Sequence, residues 1–150
     1  MRFFVLLALS LVFACRNAPV LDERVDRYPD GTVKRRVPLI DGKMHGIMTD
    51  YYPNGRVMSE KQFENDRQQG RTLVFYPSGA LKEVQYFADG QHHGGDTVWY
   101  ENGALQFVVG FRHGKKDGYL RKWDEAGRLI FEARYDQDSV VEVKGNMIPR

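Results

Sequence analysis

The sequence predicts an all-β protein: an elongated single-layer antiparallel sheet of tandem 24-residue β-hairpin repeats. Three observations carry this. A turn signature of the type Tyr-Pro-x-Gly recurs, placing Gly31, Gly55, Gly79, Gly103 and Gly127 at intervals of 24 residues. A second row, Gly46, Gly70, Gly94 and Gly118, keeps the same interval, as does a looser one of Gly42, Asp66, Gly90, Gly114 and Asp138. Composition agrees, because 13% aromatic residues together with 15 glycines in 150 residues favours strands and tight turns over helices.

The first segment, MRFFVLLALSLVFAC at residues 1–15, stands apart. It holds Arg2 and then an apolar run from Phe3 to Ala14 broken only by Ser10. A bilayer-spanning helix needs about 20 apolar residues, so the run fits the core of a signal peptide. Its end, VFAC, resembles the bacterial lipobox, in which a small residue precedes a cysteine that is diacylated and becomes the first residue of the mature chain. Val12, Ala14 and Cys15 match, with Phe13 bulkier than the usual residue there. The resemblance implies lipid attachment at Cys15 and a domain outside the cytoplasm, held to a membrane of the bacterial cell envelope by N-terminal acyl chains. The alternative is an ordinary cysteine lost with a cleaved leader. Cys15 is the sole cysteine, which excludes an intrachain disulfide and any multi-cysteine metal site.

Residues 16–30 read as a tether and an N-terminal capping half-unit, VLDERVDRYPD, whose charges suit the end of an array. Five units follow over residues 31–150: 31–54, 55–78, 79–102, 103–126 and 127–150. The last is degenerate, with Glu142 where the second row predicts glycine. Within the units, Val33, Val57, Leu81, Leu105 and Leu129 form one apolar column and Leu39, Phe63, Phe87, Phe111 and Tyr135 another. The offset between them is even, so strict alternation predicts one shared face. Tyr51, Phe75, Trp99 and Trp123 make a third column, with Tyr52, Tyr76 and Tyr100 following at the turn. Asp-Gly and Asn-Gly pairs in the connections tolerate the positive φ of tight hairpins, and proline stiffens the approach.

One unit cannot stand alone. Ordering a residue costs about 1–2 kcal/mol of backbone entropy, and a buried large apolar side chain returns about 1.5–3 kcal/mol. Three apolar columns do not carry 24 residues, so stability must be shared between neighbouring hairpins, as in a solenoid.

These columns resemble the MORN-repeat variant family, whose motif runs approximately Tyr-Pro-Asn-Gly, a hydrophobic residue two further on, an aromatic, then Gly-x-x-x-Gly and a closing aromatic pair. The resemblance extends from residue 28 to about 135. Gly31/Val33, Gly55/Val57 and Gly79/Leu81 fit it, as do the pairs Gly42/Gly46, Gly90/Gly94 and Gly114/Gly118; Asp66 and Glu101 depart. Bacterial members are commonly labelled antitoxins, and other MORN proteins are associated with membranes and scaffolding. The resemblance thus implies a binding module. An antitoxin or immunity role against a partner toxin is the alternative, and an export signal restricts it to a toxin acting outside the cytoplasm.

A search for chemistry finds none. His45 and His93 share a column two units apart, about 19 Å by strand spacing, too far for one metal ion. His92, His93 and His113 read as exposed turn residues. Glu60, Glu83, Asp89, Glu101 and Glu132 show no pairing of the kind that raises one carboxyl pKa, as acid–base catalysis needs. No Gly-x-Ser-x-Gly elbow occurs around Ser78, and DGQHHGG joins two strands rather than opening a helix over a phosphate. No catalytic residue, metal or cofactor is expected.

The net charge of +2 is too near neutral for a nucleic-acid surface, and export argues against one. Nothing in the chain supplies a second layer over the sheet, so an apolar face must curl on itself or meet a partner. We expect Tyr51, Phe75, Trp99 and Trp123 to form that binding surface. Lys43, Arg67, Lys115 and Lys116 would form its polar rim, with a protein or other cell-envelope component as the partner.

Overall fold

The computed structural model describes residues 18–144. The signal-peptide reading, Cys15 and the end of the fifth unit lie outside the described residues. Among these residues the chain forms 13 strands and no helix. They are β1 (Leu21–Arg27), β2 (Val33–Ile40), β3 (Lys43–Met44), β4 (Gly46–Tyr51), β5 (Val57–Glu64), β6 (Arg67–Phe75) and β7 (Leu81–Ala88). β8 (Gln91–His92), β9 (Gly94–Trp99), β10 (Leu105–Arg112), β11 (Lys115–Trp123), β12 (Leu129–Asp136) and β13 (Ser139–Val143) follow. All lie in one open antiparallel sheet in chain order, with β3 and β8 paired at the tips of β2 and β7. Each unit contributes one hairpin. The N-terminal edge strand β1 carries Asp22, Glu23, Arg24, Asp26 and Arg27, charges that discourage further strand pairing.

The connections are of two kinds, and glycine serves them differently. Between units, the amide of Gly55 donates to the carbonyl of Tyr52 (2.9 Å) and that of Tyr52 to Arg56 (2.8 Å). Gly55 alone holds a positive φ, 80°. This is a type I turn closed by a left-handed residue, for which proline at the second position and glycine at the fourth are the fitting choices. Within units, both central residues are left-handed: Asp41 and Gly42 at 50° and 77°, Asn65 and Asp66 at 49° and 66°. These are two-residue type I′ tips, and Asp66 shows that the glycine of that row is replaceable by a residue tolerant of the same region.

Every junction also carries a bulge. Asp50 pairs with Ser59 but Tyr51 with Val57, and the same slip occurs at Val74/Phe75 and Lys122/Trp123. Cross-strand partners share a face and chain neighbours alternate. The bulge therefore separates the column of Val57 from that of Phe63, and the expectation of one shared face fails because alternation was carried through an extra residue.

The core is a stripe running across the strands on one face. Val37 is 0% exposed, Met48 7%, Thr72 1%, Val109 2%, Leu120 6% and Ala133 1%. The pairs Lys61↔Thr72, Thr72↔Gln85, Asp96↔Val109, Val109↔Leu120 and Leu120↔Ala133 place these residues on one side. The stripe is apolar towards both ends and polar in the middle, at Lys61, Thr72, Gln85 and Asp96.

Candidate functional site

The four predicted binding aromatics occupy equivalent places. Tyr51, Phe75, Trp99 and Trp123 each end a strand and pair across the bulge with Val57, Leu81, Leu105 and Leu129. One unit advances two strands, so equivalent positions fall on the same side of the sheet, and all four rings are half-buried. Their carbonyls have a fixed partner. Tyr28 Oη donates to the carbonyl of Tyr51 (2.7 Å), Tyr52 to Phe75 (2.7 Å), Tyr76 to Trp99 (2.8 Å) and Tyr100 to Trp123 (2.9 Å). The turn tyrosine of each junction thus staples itself to the next hairpin. In the last junction Asp124 replaces the tyrosine and caps its own turn, accepting from the amides of Ala126 and Arg128.

Beside the column lie two shallow clefts. One, about 350 Å³, is lined by Tyr28, Lys34, Arg35, Asp50, Tyr51, Met58, Ser59, Lys61 and Val74. The other, about 330 Å³, is lined by Val98, Tyr100, Gln106, Phe107, Lys122, Trp123 and Ile130. They are the same place in the repeat, since Tyr28, Lys34, Tyr51 and Met58 stand 72 residues before Tyr100, Gln106, Trp123 and Ile130. Their chemistry differs. In the first, Asp50 accepts from Arg35 Nε (2.5 Å) and Ser59 Oγ (2.9 Å), with Lys61 Nζ at 3.4 Å. Burial pulls the Asp50 pKa up, but these hydrogen bonds and the lysine charge outweigh it and hold it below the ordinary value. In the second, Lys122 Nζ sits 5.9 Å from the ring centres of both Phe107 and Phe131 and makes no ion pair among the described residues.

The predicted rim does not surround this column. Lys43, Arg67, Lys115 and Lys116 stand at the hairpin tips, where β3, β6 and β11 begin, while Tyr51, Phe75 and Trp123 end β4, β6 and β11. Along nine-residue β6 that separates Arg67 from Phe75 by about 26 Å. The basic residues belong to a tip ladder, in which Arg67 approaches Asp89 (3.8 Å) and Lys116 lies over the Tyr135 ring (5.2 Å).

Two sequence readings change in the fold. His92 is not an exposed turn residue: it is half-buried between Phe87 and Phe111, with ring centres 4.3 and 4.8 Å away. His93 and His113, in consecutive units, meet edge-on at 5.6 Å. Among the described residues no group of three or more His, Cys, Asp or Glu is placed to hold a metal ion. Carboxylates do pair. Asp96, 8% exposed, is pushed up to about 7 by burial, by the charge of Glu83 and by a hydrogen bond shared with it. Asp96 escaped the sequence reading because its neighbour Glu83 stands on the adjacent strand, two residues out of register, and not nearby in the chain.

One stretch of the repeat matches a known family model. Residues 44–65 match the model of the MORN repeat variant. The matched stretch runs from the tip strand β3 through β4, the Tyr52–Gly55 turn and β5 to the next tip, one hairpin period. The turn, bulge and tyrosine staple of the matched stretch recur at 24-residue spacing on both sides of it. No curated protein matches the chain.

Proposed function

We propose that the chain is an exported MORN-repeat module, anchored through acyl chains on Cys15, that binds a protein or other component of the bacterial cell envelope and performs no catalysis of its own. The observation that carries the binding reading is the recurrent cleft beside the aromatic column. A half-buried ring (Tyr51 or Trp123), a turn tyrosine and an apolar residue of the next strand are presented twice at the same repeat position. Rings held by a rigid ladder but left partly open are suited to anchoring a partner. The Glu83–Asp96 pair is a poor catalyst, because Asp96 Oδ1 is shut off from solvent.

Capture from envelope fractions by the wild type and by Trp123→Ala tests the binding. Loss of the captured component in a folded variant supports the column, and unchanged capture overturns it. A single tight toxin-like partner would select the antitoxin or immunity reading over a scaffold. Palmitate labelling with Cys15→Ser as control tests the anchor, which an unlabelled wild type removes.

A further inference from the structure

Three buried carboxyls sit in this sheet, and two are neutralised within the chain. Asp50 has Arg35 and Lys61, and Glu132 has Arg121 (2.6 Å) and Lys144 (3.2 Å). Asp96 forms no ion pair among the described residues; its Oδ1 has no donor, and the charge that acts on it is that of another acid, Glu83.

The position of this pair in the ladder matters. Strand β7 pairs with β9 only at Glu83↔Val98 and Val84↔Thr97, then resumes with β8 at Phe87↔His92. Asp96 follows the interruption directly. The equivalent interruption, 48 residues earlier, lies between Arg36↔Thr49 and Leu39↔Met44. There the counterparts of Gln85 and Asp96 are Val37 and Met48, both buried, and the counterpart of Glu83 is Arg35, ion-paired to Asp50 across the strands. One gap is sealed by apolar side chains and an ion pair. The other holds two acids, with Gln85 Nε2 donating to Glu83 Oε1 (2.7 Å).

We propose that the β7–β9 seam is a proton-dependent latch, in which Glu83 and Asp96 hold one proton between them across the strands and the seam loosens when that proton leaves. With the proton, Asp96 donates to Glu83 and the pair carries a single charge. Without it, two like charges face each other, one of them on the buried Asp96. On this face β10 offers Phe107, Val109 and Phe111, and β6 offers Thr72 and Val74, none of which titrates. The ionisable group at the resumed end of the seam is His92 of β8, between Phe87 and Phe111. Lys82, the bulge residue of β7, is equivalent to the cleft residues Lys34 and Gln106 and holds its Nζ over the Tyr76 ring (5.5 Å); Tyr86 points to the opposite face, and Lys61 is engaged with Asp50.

Hydrogen exchange on the full chain tests this. Protection of the Val84, Thr97 and Val98 amides, corrected for intrinsic rates, should fall roughly tenfold or more between pH 5.5 and 8.5, while the Arg36 and Thr49 amides at the ion-paired seam hold theirs. Asp96→Asn and Glu83→Gln should each abolish the difference while leaving His92 in place, and Glu83→Arg should make the seam behave like its counterpart. If Asp96→Asn does not fold, Glu83→Gln gives the same reading. Protection that ignores pH in the wild type, or that changes equally in these variants, overturns the latch.

Discussion

The hydroxyl of Tyr76 donates to the main-chain carbonyl of Trp99 at 2.8 Å, across 23 residues of chain. It links two successive hairpins at the bulged junction, where the regular ladder slips and leaves a carbonyl to be satisfied from outside it. Tyr76→Phe keeps the ring and removes the donor, so it should lower stability by about 1 kcal/mol. Equilibrium unfolding in urea reads this as a lower midpoint with an unchanged slope. A Tyr28→Phe change two junctions away should add to it independently, as expected when each unit contacts only its neighbours.

Gly110 marks a different constraint. Its φ is not left-handed, yet a Cβ there would lie 2.4 Å from the Asp117 carbonyl oxygen, a backbone atom that cannot rotate away. The site is the bulge of the β10–β11 hairpin, where Val109 pairs with Leu120 and Phe111 with Lys116. Gly110→Ala should therefore cost about 1–3 kcal/mol as an overpacking change. Gly95→Ala, with open space around its Cβ position, should cost less. Paired urea midpoints decide between them.

The contrast shows how the fold was legible in the sequence. Gly31, Gly55, Gly79, Gly103 and Gly127 are visible because a left-handed turn position admits few residues, so the residue type repeats with the geometry. The buried stripe is not visible in this way. Met48, Thr72, Asp96 and Leu120 share one column at 24-residue spacing, yet they have no chemistry in common, because in a single-layer sheet burial comes from neighbouring strands and side chains of several kinds satisfy it. The bulge hid the face of Val57, since the extra residue resembles any other strand residue. Gly110 carried a readable signal, an isolated glycine inside a strand, which points to a bulge or a close backbone approach. The aromatic column was legible as a column, but its tyrosine staple, the cleft beside Trp123 and the distance of the basic tips required the register.

Asp50 and Glu132 set the acid limit of the fold. Both are held below their ordinary values: Glu132 by hydrogen bonds from Arg121 and then Lys144, Asp50 by its partners against the opposing effect of burial. For a lowered carboxyl, the stabilisation is complete above the unfolded-state value, 3.8 for aspartate, and is lost as pH falls through the lower folded value. Asp96 runs the other way: its stabilisation is complete below 3.8 and is lost as pH rises towards about 7. Stability should therefore pass through a maximum on the acid side of neutrality. Urea midpoints taken from pH 3 to 8 should show it, with Asp96→Asn removing the decline on the alkaline side and Asp50→Asn blunting the acid one.

The two equivalent clefts separate binding from structure. In the first, Arg35, Asp50, Ser59 and Lys61 satisfy one another, so its polar groups have little left to offer a partner. In the second, Lys122 rests over Phe107 and Phe131 without an acid, beside Trp123, Val98 and Ile130. An aromatic anchor next to a cation with spare hydrogen-bonding capacity is the stronger recognition element. Trp123→Ala should weaken capture of the envelope partner by roughly tenfold or more, and Lys122→Ala should weaken it less, with a response to salt that the wild type shares and the variant loses. Tyr51→Ala should act mainly on stability. Titrated pull-downs with each variant, checked for a retained β-sheet spectrum, separate these effects; an equal loss from Tyr51→Ala and Trp123→Ala would place recognition along the whole column instead of at its C-terminal cleft.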